Sequence, residues 1–593
     1  MMKNRDKLYK IDSSHLKTQG VFDKKIKLVT DGLLKVIDMH ALADYFRNKS
    51  DMFATGEFWG KIMRAACAVY KYSEDAELKK IIDCAATDFI SLQDEDGDLS
   101  TVPKDKQPNG SNGSDLWERK YALMGLLSYY EVSGDPKALS AARNLALYTA
   151  SQVGESPKTP ITQTGWAFDG IESSSILEVI MRTYNYTGDE ELLQFGKYII
   201  DSGACSRENI FEAIRGGKSP YLIGSNGVKE ESIAKAYEMM SCFDGLIEYY
   251  RATGDGNALE TAKIFWDKVK GEEITLLGSG GADAPYNLGP GTGEQWNLTA
   301  KEQTNPDIGL MMETCVTVYW MRLSFNLLRA TGEVKYADAI EVSLYNAILG
   351  AIRSDGAFFE YFPKFNGKRN SKVNYSFNIN GFDLSCCTAN GPTGLAMFCE
   401  VALMKNNGGY TLNLYESMQY EDDCVHMALT TDYPVKGSGV LKVYNKTNRS
   451  VSFDLRVPTW ACGYCAEVSR EKFSGTPGKY LTVNCPRNTE TAINFNFEIP
   501  IVRHTAPKGS NRLGDNFEAY TYGSVLLSQC TANGKIIYPL PCDLSGKFTI
   551  NKSEDGFFTA SADEDGRKII FTDYMSAGNK NPDDEFMSWI PTV

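Results

Sequence analysis

The chain has 593 residues, 42% of them hydrophobic and 23% charged. This is the balance of a soluble globular protein, and it excludes disordered, collagenous and low-complexity classes. With 62 Lys and Arg against 76 Asp and Glu, the net charge is −14 and the pI is near 5.1, so no nucleic-acid partner is expected.

The N terminus, MMKNRDKLYK, is charged and has no apolar core. No secretory leader is read there, and a cytoplasmic location is expected. No apolar run approaches the ~18 residues that span a bilayer, so no membrane partner is expected either. The 14 cysteines are scattered along the chain, which suggests reduced thiols with a minority doing chemistry.

The first two thirds read as repeated helical hairpins. One phrase recurs where a helix should stop and the next begin: Tyr72-Ser-Glu-Asp75, Tyr130-Glu-Val-Ser-Gly134-Asp135, Tyr186-Thr-Gly188-Asp189, Ala252-Thr-Gly254-Asp255 and Ala330-Thr-Gly332-Glu333. Gly supplies the left-handed residue that ends a helix, and the acid after it caps the next. Five such turns and a less distinct sixth predict a closed ring of paired helices, an (α/α)6 barrel over residues 1–405. An open helical solenoid is the competing arrangement. Long, variable connections favour the barrel, whose loops gather at one end to build a site. A Gly-rich loop between helices, Leu277 to Trp296 with Gly278, Gly280, Gly281, Gly289, Gly291 and Gly293, is expected to serve that site.

From about Tyr410 the period becomes two. Val451-Ser-Phe453-Asp-Leu455-Arg-Val457 and Ile493-Asn-Phe495-Asn-Phe497-Glu-Ile499 alternate apolar and polar residues, as half-buried antiparallel strands do. Residues 406–510 read as a β-sandwich domain, and 511–593 as a second β-sandwich module or the completion of the first. No Pro- or Ser-rich linker intervenes, so the sandwich is expected to pack firmly on the barrel.

Two cysteine phrases stand out: Met312-Glu313-Thr314-Cys315 and Ser385-Cys386-Cys387-Thr388-Ala389-Asn390-Gly391-Pro392. Three thiols and a carboxylate suit tetrahedral zinc. Residues i and i+2 do not share a helix face, so Glu313 and Cys315 can converge only at a helix start. Cys386 and Cys387 need a turn to point together, and Asn-Gly-Pro reads as that turn. Core thiols or a vicinal disulfide would give the same residues. Cys462-Gly-Tyr-Cys465 lacks a second CxxC and reads as unrelated thiols on a β-loop. Glu294, beside Gly293 and Trp296, could be a general acid in a partly apolar pocket. The four histidines, His15, His40, His426 and His504, lie outside the helical core. Ser-His-Asp hydrolysis and a HExxH zinc site are therefore unsupported. No nucleotide phosphate loop is present.

In order, Gly-Glu, Glu-Thr-Cys, Glu-x-x-Leu-Tyr-Asn, Phe-Phe-x-Tyr and Cys-Cys-x-x-Asn resemble glycoside hydrolase family 127, best known for β-L-arabinofuranosidase activity. Leu455-Arg-Val-Pro-Thr-Trp460 and the stretch from Phe571 to Ile590 resemble its sandwich signatures, so the likeness covers most of the chain. The resemblance implies an (α/α)6 barrel with β-sandwich domains and a retaining, exo-acting glycosidase. It implies a Zn2+ site of Glu313, Cys315, Cys386 and Cys387, with Cys386 as nucleophile and Glu294 as acid/base. Glu341 and Tyr361 would bind sugar hydroxyls or orient the site. The implied partner is an oligosaccharide or glycoside, and a homodimer is compatible with the reading.

The sequence departs from the family at two histidines on the sugar wall. Lys120, beside Tyr121, and Lys235 stand at the matching places. If they face substrate, an acidic or otherwise altered glycone is expected. Sugar epimerases, polysaccharide lyases and a carbohydrate-binding protein with structural zinc are the alternative readings. The scarcity of His argues against an epimerase.

Overall fold

The computed structural model describes residues 5–225, 232–283, 293–305, 308–369, 376–507, 516–554, 556–564 and 566–592. Gly134, Gly188, Gly254 and Gly332 end their helices at φ of 66, 68, 83 and 70°, where a Cβ would be strained. Glu74 takes the same place at φ 50°. Asp75, Asp135, Asp189 and Asp255 then accept hydrogen bonds from first-turn amides of the following helices. Glu333 makes no such bond.

Twelve helices form the ring. They are α1 (Val21–Val29), α2 (Glu57–Ser73), α3 (Ala76–Ile90), α4 (Asp115–Ser133), α5 (Pro136–Gln152) and α6 (Leu177–Thr187), then α7 (Glu190–Asp201), α8 (Ala236–Thr253), α9 (Gly256–Glu272), α10 (Thr314–Thr331), α11 (Val334–Ser343) and α12 (Cys386–Val401). The inner helices α2, α4, α6, α8, α10 and α12 pack each on the next, and α12 returns to α2. The outer helices α3, α5, α7, α9 and α11 each cover the inner helix just before them, whereas α1 covers α12. This is an (α/α)6 barrel. The sixth pair is indistinct in the sequence because no hairpin turn joins its members.

Two sheets follow. A five-stranded sheet runs Tyr9–Lys10, Leu403–Lys405, Gly409–Leu412, Val451–Arg456, Tyr480–Cys485. A seven-stranded antiparallel sheet holds the strands Glu490–Glu498 and Ser438–Asn445 at its centre and Leu16–Thr18 at one edge. A third sheet starts at Ile501–Thr505 and runs to the C terminus. Two of the expected boundaries therefore shift. Residues 9–18 belong to the sandwich sheets, and the second β-module starts near residue 501 instead of 511. The reason is pairing: Tyr9 lies opposite Lys405, Leu16 opposite Tyr420, and Ile501 opposite Tyr522. Cys462 and Cys465 are free thiols on the strand Cys462–Val468. No helix among the described residues is long and apolar enough to cross a membrane.

A buried ion cluster joins barrel to sandwich. Arg456, fully buried on a sandwich strand, donates to Glu341 Oε1 at 2.7 Å and to Asp338, both on α11. The Tyr433 hydroxyl adds a bond to Glu341 at 2.8 Å. Removing one partner strands the others without solvent. Arg456→Ala is expected to cost about 3–5 kcal/mol, seen as a lower apparent melting temperature. Arg456→Met with Glu341→Gln should recover part of it. Equal melting temperatures for wild type and the single variant would refute the assignment.

Candidate active site

The first turns of five inner helices, α2, α4, α8, α10 and α12, converge at one end of the barrel around a cavity of about 420 Å³. Two of these helix starts build the cluster at its floor. Glu313 is the N-cap of α10, at φ −55° and ψ 132°, and Cys315 is one residue inside that helix. The extended cap turns Glu313 back beside Cys315, as the i, i+2 spacing requires. Ser385 caps α12 by accepting from the Thr388 amide at 3.1 Å, so Cys386 and Cys387 are its first two residues. The expected Asn-Gly-Pro turn is absent: Asn390, Gly391 and Pro392 lie inside α12. Gly391 is needed for close packing instead, since a Cβ there would lie 2.3 Å from the Phe359 ring.

The donor atoms of Glu313, Cys315, Cys386 and Cys387 all lie within 4.8 Å of one another and could hold a metal ion. The Cys386 and Cys387 sulfurs are 4.0 Å apart, so no vicinal disulfide forms. Glu313 Oε1 is 3.5 Å from Cys387 Sγ and 3.9 Å from Cys386 Sγ. Helix N termini favour thiolates. Within the cluster, hydrogen bonds from Cys315 and Cys387 hold the Cys386 thiol well below its ordinary value near 9.0, against burial, and Lys61 and Tyr361 add to the effect. Burial pushes Cys315 and Cys387 up. Cys386 is also the one member of the cluster that is not fully buried.

Glu294 faces this cluster. The backbone around Gln295 bridges to Lys235 and to Ala282, and Ala282 bridges to Met311. These short pairings carry Lys235 and Glu294 to the cavity wall. Gly293, at φ 82°, cannot carry a side chain, because a Cβ would lie 2.8 Å from the Phe362 ring. Gly289 and Gly291 of the same loop lie outside the described residues. Lys235 Nζ forms an ion pair with Glu294 Oε2. The Tyr361 hydroxyl donates to Glu294 Oε1 and lies 3.1 Å from Cys386 Sγ, so it bridges carboxylate and thiol.

Three expected substrate contacts are placed elsewhere. Glu341 is fully buried at the barrel–sandwich junction, where Arg456 and Tyr433 take its carboxylate. Lys120 is fully buried behind the cavity wall. Its amine donates to Ser175 Oγ at 3.0 Å and faces the rings of Trp117, Tyr121, Tyr237 and Tyr319. The Tyr121 hydroxyl donates to that of Tyr237 at 2.7 Å, one layer behind the wall. Lys235 and Tyr361 do line the cavity.

Comparison with known proteins agrees with this architecture. Residues 11–400 match the catalytic domain, and residues 410–499 the middle domain, of the β-L-arabinofuranosidases of glycoside hydrolase family 127. The chain belongs to glycoside hydrolase family 127. It is 22% identical over 482 residues to the non-reducing end β-L-arabinofuranosidase of Bifidobacterium longum subsp. longum, covering 75% of this chain and 71% of that protein. Its fold superposes on a family 127 β-L-arabinofuranosidase of Geobacillus stearothermophilus T6 with a TM-score of 0.77 at 18% identity, over 98% of this chain and 99% of that one. A family 127 β-arabinofuranosidase gives 0.75 at 17% identity, over 100% and 99%. This family 127 chain is thus a glycoside hydrolase.

Sequence reasoning missed several wall residues. Glu57 Oε2 accepts from Lys61 Nζ at 3.0 Å and from Trp117 Nε1 at 2.7 Å. Glu238 lies beside Lys235 and Glu294, and burial raises its carboxyl to about 7. Glu57, Trp117 and Glu238 all sit in the first turn of an inner helix, and Lys61 follows one turn after Glu57. The hairpin phrase, which locates the other end of each helix, contained that signal.

The position of Lys120 has a measurable consequence. Burial pushes its amine down to about 7, from 10.5 when unfolded. The unfolded chain binds the extra proton between those values, so this group's contribution to stability improves as pH rises from 7 to 10.5. Lys120→Met is expected to raise the apparent melting temperature most at pH 6–7 and progressively less toward pH 10. A pH-independent shift would rule out a buried charge.

Proposed function

We propose that the chain is a retaining, exo-acting β-L-arabinofuranosidase in which Cys386 is the nucleophile and Glu294 the acid/base. One observation carries the reading: Tyr361 ties the only solvent-reached thiol of the cluster to a carboxylate, and both line one sugar-sized cavity. Cys386 attacks the anomeric carbon while Glu294 gives a proton to the leaving oxygen. A thioglycoside forms at Cys386. Glu294 then takes a proton from water, which displaces the thiolate and restores the anomeric configuration.

We also propose that the cluster holds zinc. Tetrahedral zinc with thiolates at ~2.3 Å places sulfurs ~3.8 Å apart, and a sulfur ~3.5 Å from a carboxylate oxygen. The separations of 4.0, 3.5 and 3.9 Å in the cluster fit that set. When bound, the metal would keep the thiols deprotonated and moderate the charge on the leaving thiolate. Glu313, Cys315, Cys386 and Cys387 would hold it.

The side chains favour a neutral glycone over an acidic one. Lys235 is paired with Glu294, Lys61 with Glu57, and Lys120 is walled off. Among the described lining residues no lysine is left for a sugar carboxylate. Glu238 Oε2 is buried without a protein partner and is placed to accept a sugar hydroxyl.

The test combines turnover with metal analysis on reduced protein. Wild type should hydrolyse a β-L-arabinofuranoside and carry about one zinc per chain. In kcat/KM, which reports the first step, Glu294→Gln should lose about 10²–10⁴-fold on a methyl glycoside and much less on 4-nitrophenyl, whose leaving group needs no proton; its kcat on 4-nitrophenyl should still fall, because water attack needs the base. Chelation should expose three thiols to titration in the folded protein. Equal losses on both glycosides would remove Glu294 as acid, and a zinc-free, folded, active sample would remove the metal.

A further inference from the structure

The cavity changes character between floor and mouth. Its charged side chains are nearly all buried: Glu57, Lys61, Lys235, Glu238, Glu294 and Glu313 are each at most 9% exposed. The lining that solvent reaches, besides Cys386, is Phe53, Ala54, Trp166, Ser376 and Phe377. Among these described residues, only the Ser376 hydroxyl and the Trp166 indole N–H are polar.

The aromatic rings come from separate segments and are arranged edge to face. Phe53 meets Trp166 at 5.4 Å between centroids and 89° between planes. Trp166 meets Trp117 at 5.7 Å and 80°. Phe58, in the first turn of α2, meets Phe377 at 5.2 Å and 66°. Phe377 lies on the strand Ser376–Ile379, whose hairpin partner Phe382–Ser385 leads into Cys386.

Phe53 is 46% exposed, and Met52 beside it 48%, so this loop is apolar on its solvent side. Its loop is held there against backbone preference. Lys49, Asp51 and Ala54, none of them glycine, take φ of 45, 49 and 54°. Contacts on both sides enforce this. The Asp51 carboxylate accepts from the Ser111 amide and from Lys106 Nζ, each at 2.9 Å, and Lys49 Nζ bonds Asp98 at 2.8 Å. The braced loop thus sets one edge of Phe53 against Trp166 and leaves the rest of the ring open to solvent at the cavity mouth.

We propose that Phe53, Phe58, Trp166 and Phe377 form an aglycone subsite for an aromatic ring, so that the substrates are glycosides of aromatic alcohols or phenols. The assignment rests on the reading of Cys386 and Glu294 given above. A glycone bound at the floor, with its anomeric carbon at Cys386, directs its leaving group to the mouth. Among the described residues, a second sugar there would find only Ser376 and the Trp166 indole N–H for its several hydroxyls, and hydroxyls that lose water without gaining partners are costly. An aromatic ring needs no such partners and gains edge-to-face contacts with the existing rings.

The test compares benzyl and methyl β-L-arabinofuranosides, whose leaving alcohols have similar acidity. Wild type should prefer benzyl by about tenfold in kcat/KM, and Phe53→Ala and Trp166→Ala should bring that ratio toward one. Phe53→Tyr should keep the preference. Phe53 is exposed, so its variants test the subsite without disturbing the core. Calorimetric titration of benzyl alcohol into wild type and Phe53→Ala gives a second readout that needs no turnover. Binding that Phe53→Ala abolishes, without hydrolysis of either glycoside, would support the subsite and sink the arabinofuranosidase reading. Hydrolysis with a benzyl-to-methyl ratio unchanged by both alanine variants would overturn the subsite alone. Absence of both binding and preference would overturn it as well.

Discussion

Burying three thiols and a carboxylate side by side is unfavourable unless positive potential meets them, and the architecture is arranged to supply it. Two helix N termini, those of α10 and α12, point their free amide ends at the cluster. Lys61 adds a full charge from a third helix. A ring whose inner helices all run the same way presents several N termini to one end. The closed (α/α)6 arrangement meets that electrostatic need, and the cavity lies where the need is met.

The same polarity organises the rest of the wall. Carboxylates and lysines alternate around the floor as Glu57 with Lys61 and Lys235 with Glu294. Each of these four charges has an opposite neighbour within hydrogen-bond reach, which makes its burial tolerable. Lys120 lacks a bonded carboxylate and is instead enclosed by four aromatic rings. Its depressed basicity is the cost of that arrangement. The floor thus recognises polarity, while the mouth, built from rings on four chain segments, recognises shape.

Much of this was legible in the sequence because local rules govern it. The Gly-Asp phrases located helix ends correctly, since a left-handed residue and a side-chain cap are decided within a few residues. Glu313 and Cys315 were placed at a helix start by the geometry of i and i+2. What failed was non-local. Asn390-Gly391-Pro392 imitates a turn, but Gly391 answers to Phe359, far away in sequence. Glu341 carries the look of a site residue, yet its partner Arg456 lies on a sandwich strand that the barrel sequence cannot announce. Tyr121 and Lys120 sit one layer too deep, a difference of helix phase that a slip of one or two positions along α4 produces. The strands at residues 9–18 were hidden because their pairing partners lie some 400 residues on.

The sixth helix pair has a consequence for how the molecule comes into being. Its two members, α1 and α12, bracket nearly the whole barrel, and the strands flanking them pair in the same sense, Tyr9 with Lys405 and Leu16 with Tyr420. Five hairpins can form from neighbouring residues as the chain leaves the ribosome, but the ring cannot shut until residues beyond 400 are available. Closure is therefore a late, long-range step in a protein otherwise built from local contacts. Cys386 and Cys387 lie at the start of the helix that performs it. These two thiols are translated last among the groups of the cluster and meet Glu313 and Cys315 in the same event that seals the domain, so the chain holds no assembled thiol centre while it is still open.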